Sequence, residues 1–170
     1  VVERVFIPWS QYNAHWGDVE SGRNKVQLNY ILPELQKLGV EPVMQLSRST
    51  SFSYNGWGGR WEQWKFYYTT AFWAAKNYDV QRFQMYNEPD ITGISQSEWL
   101  DRMHVSSDAV KSAIEDVNAL YGKQLKWSMN APVAADQDGT IDTWGQAALT
   151  SNRTDYSGAP TNYDIFDTYD

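Results

Sequence analysis

The chain has 170 residues, 42% of them hydrophobic and 21% charged, and carries a net charge of −7, which is the composition of a globular domain with a core of its own and excludes disorder. That acidic balance, with no stretch dense in Lys and Arg, argues against nucleic acid as a partner, because phosphate-backbone binding needs clustered cations to release counterions. No apolar run reaches membrane-spanning length, so no membrane partner is expected, and the absence of cysteine leaves no disulfide framework.

In chain order, "VERVFIPW" (2 to 9) alternates like a strand and ends at Pro8. Val26, Tyr30, Ile31, Leu35 and Leu38 recur at helical spacing, with Gly39 as a stop. "EPVMQLS" (41 to 47) is a second strand, followed by a Gly-rich loop around Trp57. Trp61, Trp64, Tyr68, Phe72, Ala75 and Tyr78 then mark one face of a helix. A third strand spans 80 to 87 and runs into "YNEPD", where Pro89 cannot donate to a ladder and should push Glu88 toward an extended backbone. "SQSE" (95 to 98) reads as a capping box, Ser95 accepting and Glu98 reaching back. The long helix that follows carries Leu100, Met103, Val110, Ala113, Ile114, Val117, Leu120 and Tyr121 on one stripe and closes at Gly122. A fourth strand at 125 to 132, a helical piece near 142 to 150 and a fifth strand at 163 to 169 complete the alternation.

Strict β-α alternation implies parallel strands joined by crossover helices, hence an α/β fold. A doubly wound open sheet suits five strands, but no G-x-G-x-x-G or phosphate-cradling lysine loop follows any of them. Strand starts recur about every 40 residues, a spacing compatible with (β/α)8 units with long loops. The expectation is a partial (β/α)8 TIM barrel, with residues 1 to 170 as a single domain forming its central part.

The strand ends should carry the chemistry. They are rich in acids, amides and rings: Trp9, Gln11 and His15, then Ser47 and Arg48, then Asn87, Glu88 and Asp90, then Asn130 and Asp136, then Tyr169 and Asp170. Nine Trp, eleven Tyr and six Phe are many, and several stand in polar stretches, "PWSQYNAHW" and "SFSYNGWGGRW". Rings beside polar neighbours suit the apolar face of a sugar, whose hydroxyls find hydrogen bonds at the rim. Trp9, His15, Trp16, Trp57 and Tyr169 are therefore candidate subsite walls. His15 and His104 cannot make a zinc site alone, and "DQDGTID" (136 to 142) lacks the glycine position and closing Glu of a calcium loop, so neither metal nor cofactor is expected. "NRT" (152 to 154) matches a glycosylation sequon, which matters only in a glycosylating compartment.

"YNEPD" resembles the Asn-Glu-Pro motif of the retaining glycoside hydrolases of clan A. The resemblance implies that Glu88 is the general acid/base, that Asn87 binds a sugar hydroxyl beside the scissile bond, and that Tyr169 approaches the nucleophile. It makes the 82 to 88 strand the fourth of a barrel, so that the chain covers strands 2 to 6 and the nucleophilic Glu of the seventh strand lies outside it. β-Xylosidase-like enzymes and the β-agarase or porphyranase group both fit. Cleaving an acetal with retention needs a proton delivered to the leaving oxygen and a second carboxylate about 5 Å away. The expected function is hydrolysis of a polysaccharide or oligosaccharide by double displacement, outside the cell or in the periplasm where such polymers lie. A non-catalytic carbohydrate-binding module, using the same rings without acid/base chemistry, is the alternative.

Overall fold

In the computed structural model residues 2–8, 23–47, 54–130, 135 and 140–168 are described, and among them five strands alternate with four helices. Strand β1 (Val2–Pro8) leads to helix α1 (Arg23–Lys37), and β2 (Glu41–Ser47) to α2 (Gly56–Tyr78). β3 (Arg82–Met85) passes through a 3-10 turn (Pro89–Ile91) into α3 (Gln96–Tyr121), and β4 (Ser128–Asn130) leads to α4 (Thr140–Ser151), with β5 (Phe166–Thr168) last. Every pairing is parallel and the strand order is β1-β2-β3-β4-β5. Because spatial order follows chain order, right-handed crossovers lay the helices on one face of the sheet.

The α/β class stands, but the partial (β/α)8 barrel covering strands 2 to 6 is corrected. The described strands form an open sheet with β1 and β5 at its two ends, and no closure into a barrel is present among the described residues. Alternation dictates parallel pairing and handedness, whereas closure depends on tilt and stagger, which no local pattern records. The later strands are also shorter than their alternating runs: β3 has 4 residues, and β4 and β5 have 3 each. The doubly wound alternative fails as well, since the described order never reverses.

Along β2 to β4 the side chains separate by strict alternation. Met44, Leu46, Phe83, Met85 and Met129 join the helices in one core with Tyr67, Ala71, Trp99, Met103 and Ile114. On the other face Gln45, Gln84 and Asn130 stand opposite one another in register, a row of amides of which Gln45 and Gln84 are fully buried.

The helices turn differently from their sequence stripes. α1 buries Leu28 and Leu32, while Tyr30, Ile31 and Leu38 of the expected stripe are exposed. Two apolar arcs overlap on this helix, and packing selects the one that meets the core. α2 likewise buries Phe66, Tyr67, Thr70, Ala71, Trp73 and Ala74. Its Trp61-Trp64-Tyr68-Phe72 row lies on the flank next to α3. Cross-helix hydrogen bonds run along that flank: Arg60 to Asp101, Gln63 to Ser106 at 2.9 Å, Trp64 Nε1 to Asp108 at 2.8 Å and Tyr68 to Asp116 at 2.6 Å. Donor and acceptor advance together, so the two helices run side by side in the same direction.

At the start of α3, Ser95 Oγ accepts from the Glu98 N–H at 3.2 Å as expected of a cap. The Glu98 carboxylate does not reach back; it pairs with Arg102 one turn on. A carboxylate can bond a backbone amide or a guanidinium, and the charged donor is the stronger partner. Asn152 of the sequon is buried, its Oδ1 accepting from the Ile165 and Phe166 amides at 2.9 Å each and its Nδ2 donating to Asp164. That side chain holds the approach to β5 and is not presented for modification.

Candidate functional site

β3 ends at Met85, and within three residues the chain twice enters left-handed backbone, at Tyr86 (φ 61) and Glu88 (φ 47). For residues bearing a Cβ each such position costs on the order of 1–2 kcal/mol and persists only where surrounding contacts over-determine it. Three hydrogen bonds among the described residues hold Tyr86. Its N–H donates to the Leu46 carbonyl on β2 at 3.2 Å, its own carbonyl accepts from Gln84 Nε2 at 2.9 Å, and its hydroxyl accepts from Arg102 Nη1 at 2.5 Å.

The extended conformation expected of Glu88 is corrected. Proline disfavours the right-handed helical region in the residue before it, and here the chain turns through the left-handed region instead. The Glu88 carbonyl accepts from Ile91 N–H at 3.2 Å and closes the 3-10 turn, a bond that extended backbone could not make.

Behind Tyr86 lies a cluster of charges and rings. Arg102 is 4% exposed. Its guanidinium sits 4.3 Å from the Tyr54 ring centroid and 5.6 Å from that of Tyr86, and it donates to Glu98 at 2.8 and 2.5 Å. A buried guanidinium is tolerable where its fork meets a carboxylate and its faces meet rings. Beside it Tyr54 donates to Asp101 at 2.5 Å, and Arg60 forks onto the same carboxylate at 2.9 to 3.2 Å. Burial, reinforced by the Asp101 acceptor, pushes the Tyr54 phenol far above its ordinary range, so it remains a donor. The hydrogen bond to Asp101 likewise raises Arg60. In the sequence this cluster leaves one visible sign, an arginine inside the apolar stripe between Trp99 and Met103.

Asn87 and Glu88 are half-buried, and neither side chain has a hydrogen bond or ion pair among the described residues. Arg82, a conceivable partner for Glu88, lies against Glu41 at 3.0 Å. Asp90 is engaged: both its oxygens accept the Ala135 N–H, at 3.0 and 3.1 Å, which ties the loop after β4 to the turn after β3. The structure thus brings Asn87, Glu88 and Asp90 together at the carboxyl end of β3. Trp9, His15, Trp16 and Tyr169 lie outside the described residues, as do Gln11, Arg48, Asp136 and Asp170. Trp57 is 70% exposed and lines a separate cleft with Arg60, Trp61 and Trp64. His104 is structural, buried on α3 with Nε2 on the Ser151 carbonyl at 3.1 Å.

Among the described residues no group of three or more His, Cys, Asp or Glu side chains could hold a metal ion. No described helix is long and apolar enough to cross a membrane. A half-buried carboxylate beside an amide at a strand end can give and take a proton and accept hydrogen bonds from hydroxyls. No protein-family model matches the sequence, and no curated protein or solved structure matches it.

Proposed function

We propose that the protein is a retaining β-glycosidase that hydrolyses a polysaccharide or oligosaccharide, with Glu88 as general acid/base and Asn87 orienting a substrate hydroxyl. The observation that carries this reading is the pair of left-handed residues, Tyr86 and Glu88, at the end of β3, with the Glu88 carboxylate unpartnered among the described residues. Backbone strain held by so many contacts, around a carboxylate bonded to none of them, leaves that group for a substrate. The "YNEPD" resemblance supports the same assignment.

In the first half-reaction Glu88 protonates the leaving oxygen while a second carboxylate attacks the anomeric carbon. In the second half-reaction Glu88, now ionised, takes a proton from the water that releases the sugar. Retention sets the two carboxyl groups about 5–5.5 Å apart, and in this reading the second lies outside the described residues. A polymeric substrate of this kind places the protein outside the cell or in the periplasm. A non-catalytic carbohydrate-binding protein is the second reading, favoured by the ring-lined cleft along α2.

The test is hydrolysis of a glycan panel by the wild type and Glu88→Gln. Loss of the general acid should lower the rate by about 10²–10⁴ on natural linkages. The loss should be smaller on aryl glycosides, whose leaving groups need no proton, with azide accelerating turnover of the variant. An undiminished rate in Glu88→Gln rules out the assignment, and glycan binding without hydrolysis by either protein selects the second reading.

A further inference from the structure

We propose that the cleft between α2 and α3 is a binding site for a neutral oligosaccharide chain, distinct from Glu88. The inference rests on the carbohydrate reading above and names a second place where the same class of ligand is held. Trp61, Trp64, Tyr68 and Phe72 stack in sequence along α2, with centroids 5.4, 4.8 and 5.9 Å apart and ring planes within 25° of parallel. Trp57, one turn before Trp61, has no ring partner among the described residues. It lines a cleft of about 100 Å³ with Trp61, Trp64, Arg60, Asp108 and Tyr156. Trp57 is 70% exposed, and Trp61 and Tyr156 45% each. A second depression shares Trp61 and Trp64 and continues to Tyr68 and Asp116. From Trp57 to Tyr68 the groove follows α2 for about 16 Å at the helical rise, longer than a single sugar ring.

Trp64, Tyr68 and Phe72 pack in part against the core, whereas Trp57 and Trp61 stand out from it, because α2 turns Phe66, Tyr67, Ala71 and Ala74 to the sheet. Trp57, Trp61 and Tyr156 remain as exposed large rings around one cleft; such a patch marks a binding surface, and its rim says for what. Asp108 accepts from Trp64 Nε1 and Asp116 from the Tyr68 hydroxyl, so carboxylates stand at the ring edges. Burial, with the Asp116 acceptor, pushes Tyr68 up to about 12 and keeps it a donor. The Trp57 ring, on which no described ring stacks, shares its cleft with Asp108, and that combination matches a pyranose, whose C–H face stacks while its hydroxyls donate. An apolar protein surface would bury Asp108 and Asp116 without adequate compensation, and a sulfated or phosphorylated polymer would meet like charge. α2 follows β2, so its Trp57 end lies on the carboxyl side of the sheet, the side that carries Glu88.

The experiment is native electrophoresis through gels containing agarose, xylan or hydroxyethylcellulose, with carrageenan as the sulfated control. Wild type and Glu88→Gln should be retarded equally by at least one neutral polymer. A Trp57→Ala/Trp61→Ala double variant should bind about tenfold or more weakly, since each lost stacking contact is worth about 1 kcal/mol. Asp108→Asn, which keeps the rings, should weaken binding less. Unchanged retardation of the double variant overturns the proposal, as does retardation by carrageenan alone or by no polymer. A wild-type dimer that the double variant dissolves also overturns it, by showing that a second copy covers the cleft. Ring-dependent binding without hydrolysis sinks only the Glu88 assignment, and Glu88-dependent hydrolysis with ring-independent retardation sinks only this one.

Discussion

The end of β3 and the α2–α3 pair contrast in construction. In the helical pair local preferences and packing largely agree: Ser95 caps α3, Gly122 ends it in the left-handed conformation that glycine tolerates, and hydrogen bonds join the two helices at four levels, with Asp79 at positive φ after α2 and the Gln63 Oε1 and Trp99 Nε1 atoms, unpartnered among the described residues, as the exceptions. At the end of β3 local preferences are overridden. Two residues with side chains sit at positive φ, Gln84 Oε1 finds no partner among the described residues, and Glu88 points a carboxylate at none of its neighbours. The strained segment endures because the regular one holds it, and Arg102 belongs to both, lying on α3 and bonding the Tyr86 hydroxyl. Consistency across levels marks the frame, and its breakdown marks the candidate site.

The sharpest way to break that comparison is to separate activity from stability. Glu88→Gln should cost about 10²–10⁴ in rate while leaving the urea midpoint unchanged, since the carboxylate stabilises nothing among the described residues; a large loss of stability would mean that Glu88 is structural. Arg102→Met should do the reverse first. Removing the buried guanidinium leaves the Tyr86 hydroxyl without its donor and should cost about 2–3 kcal/mol in urea unfolding. Activity should fall as Tyr86 loosens, with Arg102→Lys recovering part of the stability and less of the activity because it keeps the charge without the fork. Ser95→Ala touches only the frame and should cost about 1 kcal/mol with no effect on turnover.

The smallest effect concerns acid. Burial holds the His104 imidazole below its ordinary value, against the opposing pull of the Ser151 carbonyl and the Asp101 and Asp155 carboxylates. The unfolded chain therefore binds the proton first as pH falls below about 6.5. Stability present above that pH is lost on the way down and levels off beneath the lower folded value. Urea titrations across this range should show the slope, and His104→Gln should flatten it.

Much of the frame was legible. Five strands and four helices fall where periodicity placed them, because hydrophobic spacing and the stops at Gly39 and Gly122 are local signals. The ring stripe on α2 was visible too, but not its destination: spacing tells which residues share a helical face and not what that face meets. The same limit explains α1, where Leu28 and Leu32 took the core in place of Tyr30 and Ile31. At the site, "YNEP" drew attention to Asn87 and Glu88. The Tyr54–Arg102–Tyr86 cluster did not show, because its members are far apart in sequence and only packing brings them together.

By itself the sequence determined the α/β alternation, the parallel pairing that alternation requires, and the acid and amide that end β3. Tertiary structure alone decided that the described sheet stays open, that the rings of α2 line a surface groove, and that Glu88 is reached through left-handed backbone. The division has one cause. Periodicity, caps and proline act within a few residues, whereas closure, burial and tolerance of strain depend on the free energy of contacts between segments remote along the chain.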